Sequence, residues 1–274
     1  MSKRARFVLV AVILGVLLWI SSLVSVEARL GIVLAVTGVA YVLSVWVLFE
    51  DLKGMEWVTL MILPVMFTLG AGLFANYLPT AIPSLLGFRF ELETSLVLGK
   101  IVKIIFFLLY ILGMYGIYLI ENIFSVASIR TIQLLRAAKS VGFVMTLVTA
   151  MFFYTIGYSL KIAFWWMAVP AFLISFILSY GNMWTTDLKG ERKSDVVRFG
   201  VGLSWILTLS MIVLSFWPVR PFMGALMLTA IFYTVLGVFE QKLKHKAYGE
   251  SFLEYVLFGV IILIIGYLTT SWRG

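Results

Sequence analysis

Hydroxyl and amide side chains stand inside or beside long apolar runs at Thr68, Asn76, Tyr110, Tyr115, Thr146, Thr149, Tyr154, Thr155, Ser175, Asn182 and Tyr233. At membrane depth such groups join helices by hydrogen bonds or line the path of a neutral or amphiphilic solute. Thr149, Tyr154 and Asn182 are the candidates for such a path. A second group is charged: Arg89, Glu91, Glu93, Lys100 and Lys103, in and beside the connection from Pro79 to Lys100. Alternation through Phe88–Glu93 predicts an extended segment with Arg89, Glu91 and Glu93 on one face, paired internally or open to substrate. Lys100 and Lys103 snorkel from the start of the next helix.

The thirteen acids and His245 are read as lying in loops or at helix ends. That reading argues against an ion-coupled pump with a buried carboxylate relay, and against an intramembrane metal site built on Asp, Glu or His. The chain has no cysteine, which excludes disulfides, thiolate metal sites and cysteine nucleophiles. No glycine-rich phosphate loop, nucleophile elbow, HExxH or paired catalytic carboxylate occurs. The sequence therefore assigns no catalytic, metal-binding or cofactor-binding residue, and no cofactor.

The elements that must position these groups follow from hydropathy. Of 274 residues, 62% are hydrophobic and 12% charged, and the mean hydropathy is +1.08; a soluble domain is about 45–50% apolar and about 25% charged. Runs of spanning length are predicted at 7–26, 30–49, 57–78, 101–120, 141–160, 164–181, 199–217, 222–239 and 252–270, since about 20 apolar residues cross a bilayer core of about 30 Å. The fold class is all-α, a polytopic transmembrane helix bundle of about nine helices forming one membrane domain over 1–274. Eight or ten helices remain compatible with the boundaries around Lys161 and Pro218 to Pro221. The first run is too long for a signal-peptide core and lacks a small-x-small cleavage site, so it is expected to stay as a helix.

Placing the amino terminus inside leaves Arg29, Arg89, Lys100, Lys103, Lys161, Arg220 and Arg273 outside. The resulting two-to-one excess of cations within predicts a cytoplasmic amino terminus and an external carboxyl terminus. The net charge of +8 is spread between apolar runs, which matches topology and anionic headgroups and not a nucleic-acid surface. Trp46, Trp57 and Trp184 are expected near the inner boundary, and Trp165, Trp166, Trp217 and Trp272 near the outer one.

Three further features bear on function. Asp51-Leu52-Lys53-Gly54 after the second run and Asp187-Leu188-Lys189-Gly190 after the sixth form an echo with a period of four helices; it reads either as a parallel repeat or as two turns with similar needs. Residues 121–140 are predicted to be an amphipathic helix at the cytoplasmic interface, carrying Arg136 and Lys139 toward anionic lipid or a protein partner. Pro64 and Pro170 interrupt two spanning helices, an arrangement found at transporter sites and in ordinary membrane packing alike.

The stretch Asn122-Ile123-Phe124-Ser125-Val126-Ala127-Ser128-Ile129-Arg130-Thr131-Ile132-Gln133-Leu134-Leu135-Arg136-Ala137-Ala138 resembles a segment of uncharacterised polytopic membrane proteins of bacteria with reduced genomes. The resemblance implies a bacterial plasma membrane and carries no assigned activity or site residue. Two functional classes are open. One is a permease-like or flippase-like carrier of a neutral or amphiphilic solute; the other is a non-enzymatic scaffold or complex subunit that docks partners at its basic cytoplasmic face.

Overall fold

The computed structural model describes residues 2–49, 54–85, 88–127, 133–188, 192–243 and 250–270. It contains α1 (Lys3–Leu23), α2 (Val26–Leu48), α3 (Glu56–Phe74), α4 (Leu92–Ala127), α5 (Leu135–Leu160), α6 (Phe164–Trp184), α7 (Lys193–Ser215), α8 (Pro221–Leu243) and α9 (Glu250–Thr269). Each helix overlaps one predicted run, and α1 to α8 are long and apolar enough to cross a membrane. The apolar exterior bears this out: Val42, Leu108, Leu112, Val213 and Leu268 are among many large hydrophobic side chains left exposed, as a lipid-facing surface requires.

The helices alternate in direction. Phe7 meets Tyr118 and Gly15 meets Ile111, so α1 and α4 run antiparallel. Gly237 meets Tyr255 and Gly266 meets Met227, which sets α8 against α9 in the same way. One end of the bundle therefore holds the starts of α1, α3, α5, α7 and α9 and the ends of α2, α4, α6 and α8.

Within this bundle α1 packs on α2 and α4, and α3 packs on α2 and α4. The helices α5 to α8 repeat that wiring: α5 packs on α6 and α8, and α7 packs on α6 and α8. Each quartet has its own buried core, with Leu14, Phe67, Tyr110 and Tyr118 in the first and Tyr154, Leu178, Leu207 and Phe232 in the second. Lipid tails are as apolar as these side chains, so close packing and interhelical hydrogen bonds hold the helices together. Ser44 Oγ lies 3.0 Å from the Tyr118 hydroxyl, and the Tyr154 hydroxyl lies 2.9 Å from Ser175 Oγ. The quartets meet where α3 packs on α5 and α6, and α4 on α5.

Several expectations are corrected. The fourth predicted run, 101–120, is part of a much longer helix; the 36 residues of α4 measure about 54 Å at about 1.5 Å per residue. Consequently 121–140 is not one interfacial helix. Residues 121–127 are the last turns of α4 and 135–140 the first of α5, while 128–132 lie outside the described residues. The extended segment stops early as well. β1 (Ser84–Leu85) and β2 (Phe88–Arg89) form a short antiparallel hairpin, and α4 starts at Leu92 with Glu93 already in its first turn. Gly99 permits this connection to fold back on α4, because a Cβ there would lie 2.2 Å from the Thr80 carbonyl oxygen. Trp184, the last residue of α6, lies at a bundle end as expected but is buried in the first core and is not an exposed anchor. Trp46, Trp165 and Trp166 are exposed; Trp272 lies outside the described residues.

Candidate functional site

The buried face of α4 runs through Phe107, Tyr110, Met114, Ile117, Glu121 and Phe124, a spacing of three and four residues that keeps them on one stripe. Glu121 falls on that stripe. It is 3% exposed, and its Oε2 is buried with no hydrogen-bond partner. This corrects the reading that places every acid in a loop or at a helix end, since Glu121 lies within α4; Glu56, the first residue of α3, is at a helix end as expected and is buried too.

Glu121 lines a cavity of about 20 Å³ together with Thr59, Ile62 and Leu63 of α3, Phe124 of α4, Gly142 and Thr146 of α5, and Leu178, Gly181, Asn182 and Thr185 at the end of α6. Such a volume accommodates about one water molecule. The cavity lies in the seam where the two quartets meet, toward the end of the bundle at which α1 starts. Gly181 lets α6 approach α3 here; a Cβ on it would lie 3.0 Å from Ile62 Cγ2.

The polar lining has a defined sense. Asn182 is 6% exposed, and its Nδ2 donates to Thr146 Oγ1 at 3.3 Å. Thr146 donates in turn to the Gly142 carbonyl at 2.8 Å. Asn182 Oδ1 is buried without a partner.

The candidate path does not form one lumen. Asn182 lines the seam cavity, whereas Thr149 is buried with its hydroxyl donated to the Met145 carbonyl at 2.7 Å. Tyr154 is buried in the second quartet against Ser175. Among the described residues, neither lines the seam cavity or the three larger ones on the bundle's flanks. In the other polar cluster Glu91, Glu93 and Lys100 are exposed at the opposite end of the bundle; the Arg89 side chain lies outside what is described. Arg136 is exposed and Lys139 half-buried in the first turns of α5, at the same end as the Glu121 cavity. Of the four-residue echo, Asp51, Leu52, Lys53, Lys189 and Gly190 lie outside the described residues. Gly54 has a φ of +53°, which favours glycine, and Asp187 accepts a hydrogen bond from the Arg192 backbone N–H at 2.7 Å.

Other cavities flank the bundle among the described residues. One of about 400 Å³ opens among α5 to α8 at the opposite end, lined by Tyr158, Lys161, Met211, Ser215 and Trp217 among others. Two are almost wholly apolar crevices on the lipid side. One of about 300 Å³ lies between α1 and α4 beside Gly15 and Trp19; the other, of about 510 Å³, lies among α3, α4 and α5 beside Phe74, Gly116 and Val148.

No protein family, curated protein or solved structure matches the chain. Its functional reading therefore rests on its own residues. Sequence reasoning missed Glu121 because the apolar run was ended at Ile120; carrying the buried register of Tyr110, Met114 and Ile117 one turn further lands on the carboxyl.

Proposed function

We propose that this protein is a permease-like or flippase-like carrier of a neutral or amphiphilic solute in a bacterial-type plasma membrane, with its amino terminus cytoplasmic and its carboxyl terminus outside. The observation that supports this reading is a polar cavity holding a buried carboxyl in the seam between two helix quartets of the same wiring. Carriers commonly place their sites at the junction of repeated bundles, where the halves rock against each other. The large cavity around Tyr158 and Lys161 lies toward the opposite face and has the room for a solute that the seam cavity lacks.

Locking the seam tests this. Ile62 Cβ would lie 3.3 Å from a Cβ at Gly181, near the Cβ separation of about 3.8 Å that a disulfide takes, and the chain has no other cysteine. The Ile62→Cys, Gly181→Cys double variant would be reconstituted in liposomes and followed with a fluorescent phospholipid analogue and a neutral sugar. We expect the reduced protein to move one probe and the oxidised protein to stop. Movement of neither probe by folded wild type counts against a carrier, and movement indifferent to oxidation counts against the seam.

The scaffold reading is favoured by a different observation, the exposed Arg4, Arg136, Lys193, Arg198 and Lys242 that gather at the end where α1 starts. Such a surface suits anionic headgroups or an acidic partner. If Arg136→Gln with Lys139→Gln loses co-purifying partners while neither probe ever moves, the scaffold reading replaces the carrier.

A further inference from the structure

Every hydroxyl lining the Glu121 cavity has already given its proton to a backbone carbonyl of its own helix. Thr59 donates to Met55 at 3.2 Å, Thr146 to Gly142 at 2.8 Å and Thr185 to Asn182 at 2.7 Å. The Asn182 amide N–H is engaged with Thr146 Oγ1 at 3.3 Å. With the Thr146 proton on Gly142, the network assigns the amide nitrogen of Asn182, and not its oxygen, to the Thr146 side. Beside the second N–H of the Asn182 amide, what the walls present inward is therefore acceptor capacity. Glu121 Oε2 and Asn182 Oδ1 are buried without partners, and the threonine oxygens keep lone pairs.

Among the described residues no Lys, Arg or His is in the lining. The charged groups nearest along the same elements are Glu56 at the start of α3, Lys139 one turn before Gly142 on α5, and Asp187 beyond the end of α6; Glu56, Lys139 and Asp187 each have interactions of their own. A carboxylate buried among these acceptors, with one amide N–H to offset them, is electrostatically costly, and the cost is relieved by a positive charge. A cavity of about 20 Å³ has room for about one water molecule or one bare ion. Among the described lining residues Glu121 is the one carboxyl, so it balances one positive charge and not two. Oxygen ligands suit hard cations.

We infer that the Glu121 cavity is a binding site for one small monovalent cation, a proton or Na⁺, held by the Glu121 carboxyl and the oxygens of Asn182, Thr59, Thr146 and Thr185. Lying in the seam, the ion neutralises the carboxyl when the quartets close on it. Its role as the coupling ion rests on the carrier reading; its binding does not.

The experiment uses the full chain in lipid nanodiscs, comparing wild type with Glu121→Gln. Thermal stability is followed as Na⁺ replaces choline at constant ionic strength, over a series of pH values. A Na⁺-dependent rise in Tm that Glu121→Gln abolishes identifies Na⁺. A pH-dependent Tm that Glu121→Gln abolishes, with no Na⁺ effect, identifies the proton. Identical responses of the two proteins to both variables overturn the site. Should Glu121→Gln fail to fold, modification of Glu121 in wild type by a hydrophobic carbodiimide carries the test. Several-fold protection by Na⁺, or a reaction that persists to a pH at which exposed carboxyls such as Glu91 no longer react, supports the site; no Na⁺ protection together with the pH profile of an exposed carboxyl overturns it. A cation response in a protein that moves no solute would retain the site and remove the carrier reading; solute movement without a cation response would do the reverse.

Discussion

Thr68 Oγ1 on α3 lies 2.8 Å from the Tyr110 hydroxyl on α4, and also 2.8 Å from the Pro64 carbonyl oxygen. A carbonyl can only accept, so the single Thr68 proton goes to Pro64, and Tyr110 must donate to Thr68. The proline that takes a donor out of α3 thus sits one turn from a hydroxyl pair that ties α3 to α4. Tyr110→Phe removes the donor and leaves the ring stacked on Phe67, whose centroid is 5.3 Å away. The expected loss is about 0.6 kcal/mol and at most about 1.7, the range of hydrogen bonds between membrane helices. Reversible unfolding in mixed micelles measures it, and a loss of several kcal/mol would show that the pair does more than join helices.

Gly99 and Gly116 lie on the same helix and predict opposite outcomes. A methyl group on Gly99 would press on the Thr80 backbone, whereas nothing lies within 4 Å of one on Gly116. Gly99→Ala should cost about 1–3 kcal/mol, as overpacking does. Gly116→Ala should be neutral or slightly stabilising, since alanine favours a helix by about 1 kcal/mol over glycine. Thermal denaturation of the two variants side by side decides this, and equal midpoints would refute the packing of the 80–99 connection on α4.

Orientation is testable without background because the chain has no cysteine. Arg136 lies in the first turn of α5 and Lys161 follows its last residue, so Arg136→Cys and Lys161→Cys place thiols on opposite faces. A membrane-impermeant maleimide applied to intact cells should label Lys161→Cys alone. Labelling of Arg136→Cys alone would invert the topology, and labelling of both would mean that α5 does not cross.

The echo after α2 and α6 is informative at a different level. The local chemistry of four residues could not separate two similar turns from a repeat. The helices in which the echo is set do share their wiring, α1 to α4 against α5 to α8. The seam between them brings Thr59, Glu121, Thr146 and Asn182 to one cavity, although no spacing in the chain links these positions. Thr149 and Tyr154, by contrast, were legible as membrane-depth polar groups, but their bonds to Met145 and Ser175 make them packing residues of one quartet.

What the sequence by itself determined is the solvent and the elements. Nine apolar runs in a chain with few charges must become helices, because in hydrocarbon a backbone has to satisfy its own hydrogen bonds. Hydropathy, however, averages over a window. It ended a helix at Ile120 because Glu121, Asn122 and Arg130 lower the mean, and it assigned Trp184 to the interface by residue type. Only the tertiary structure decided that α4 continues to Ala127, that Trp184 is buried and that Glu121 points into the seam with its oxygen unpartnered. The depth and partners of one side chain depend on which helix faces it, and that is set by packing between segments far apart in the chain.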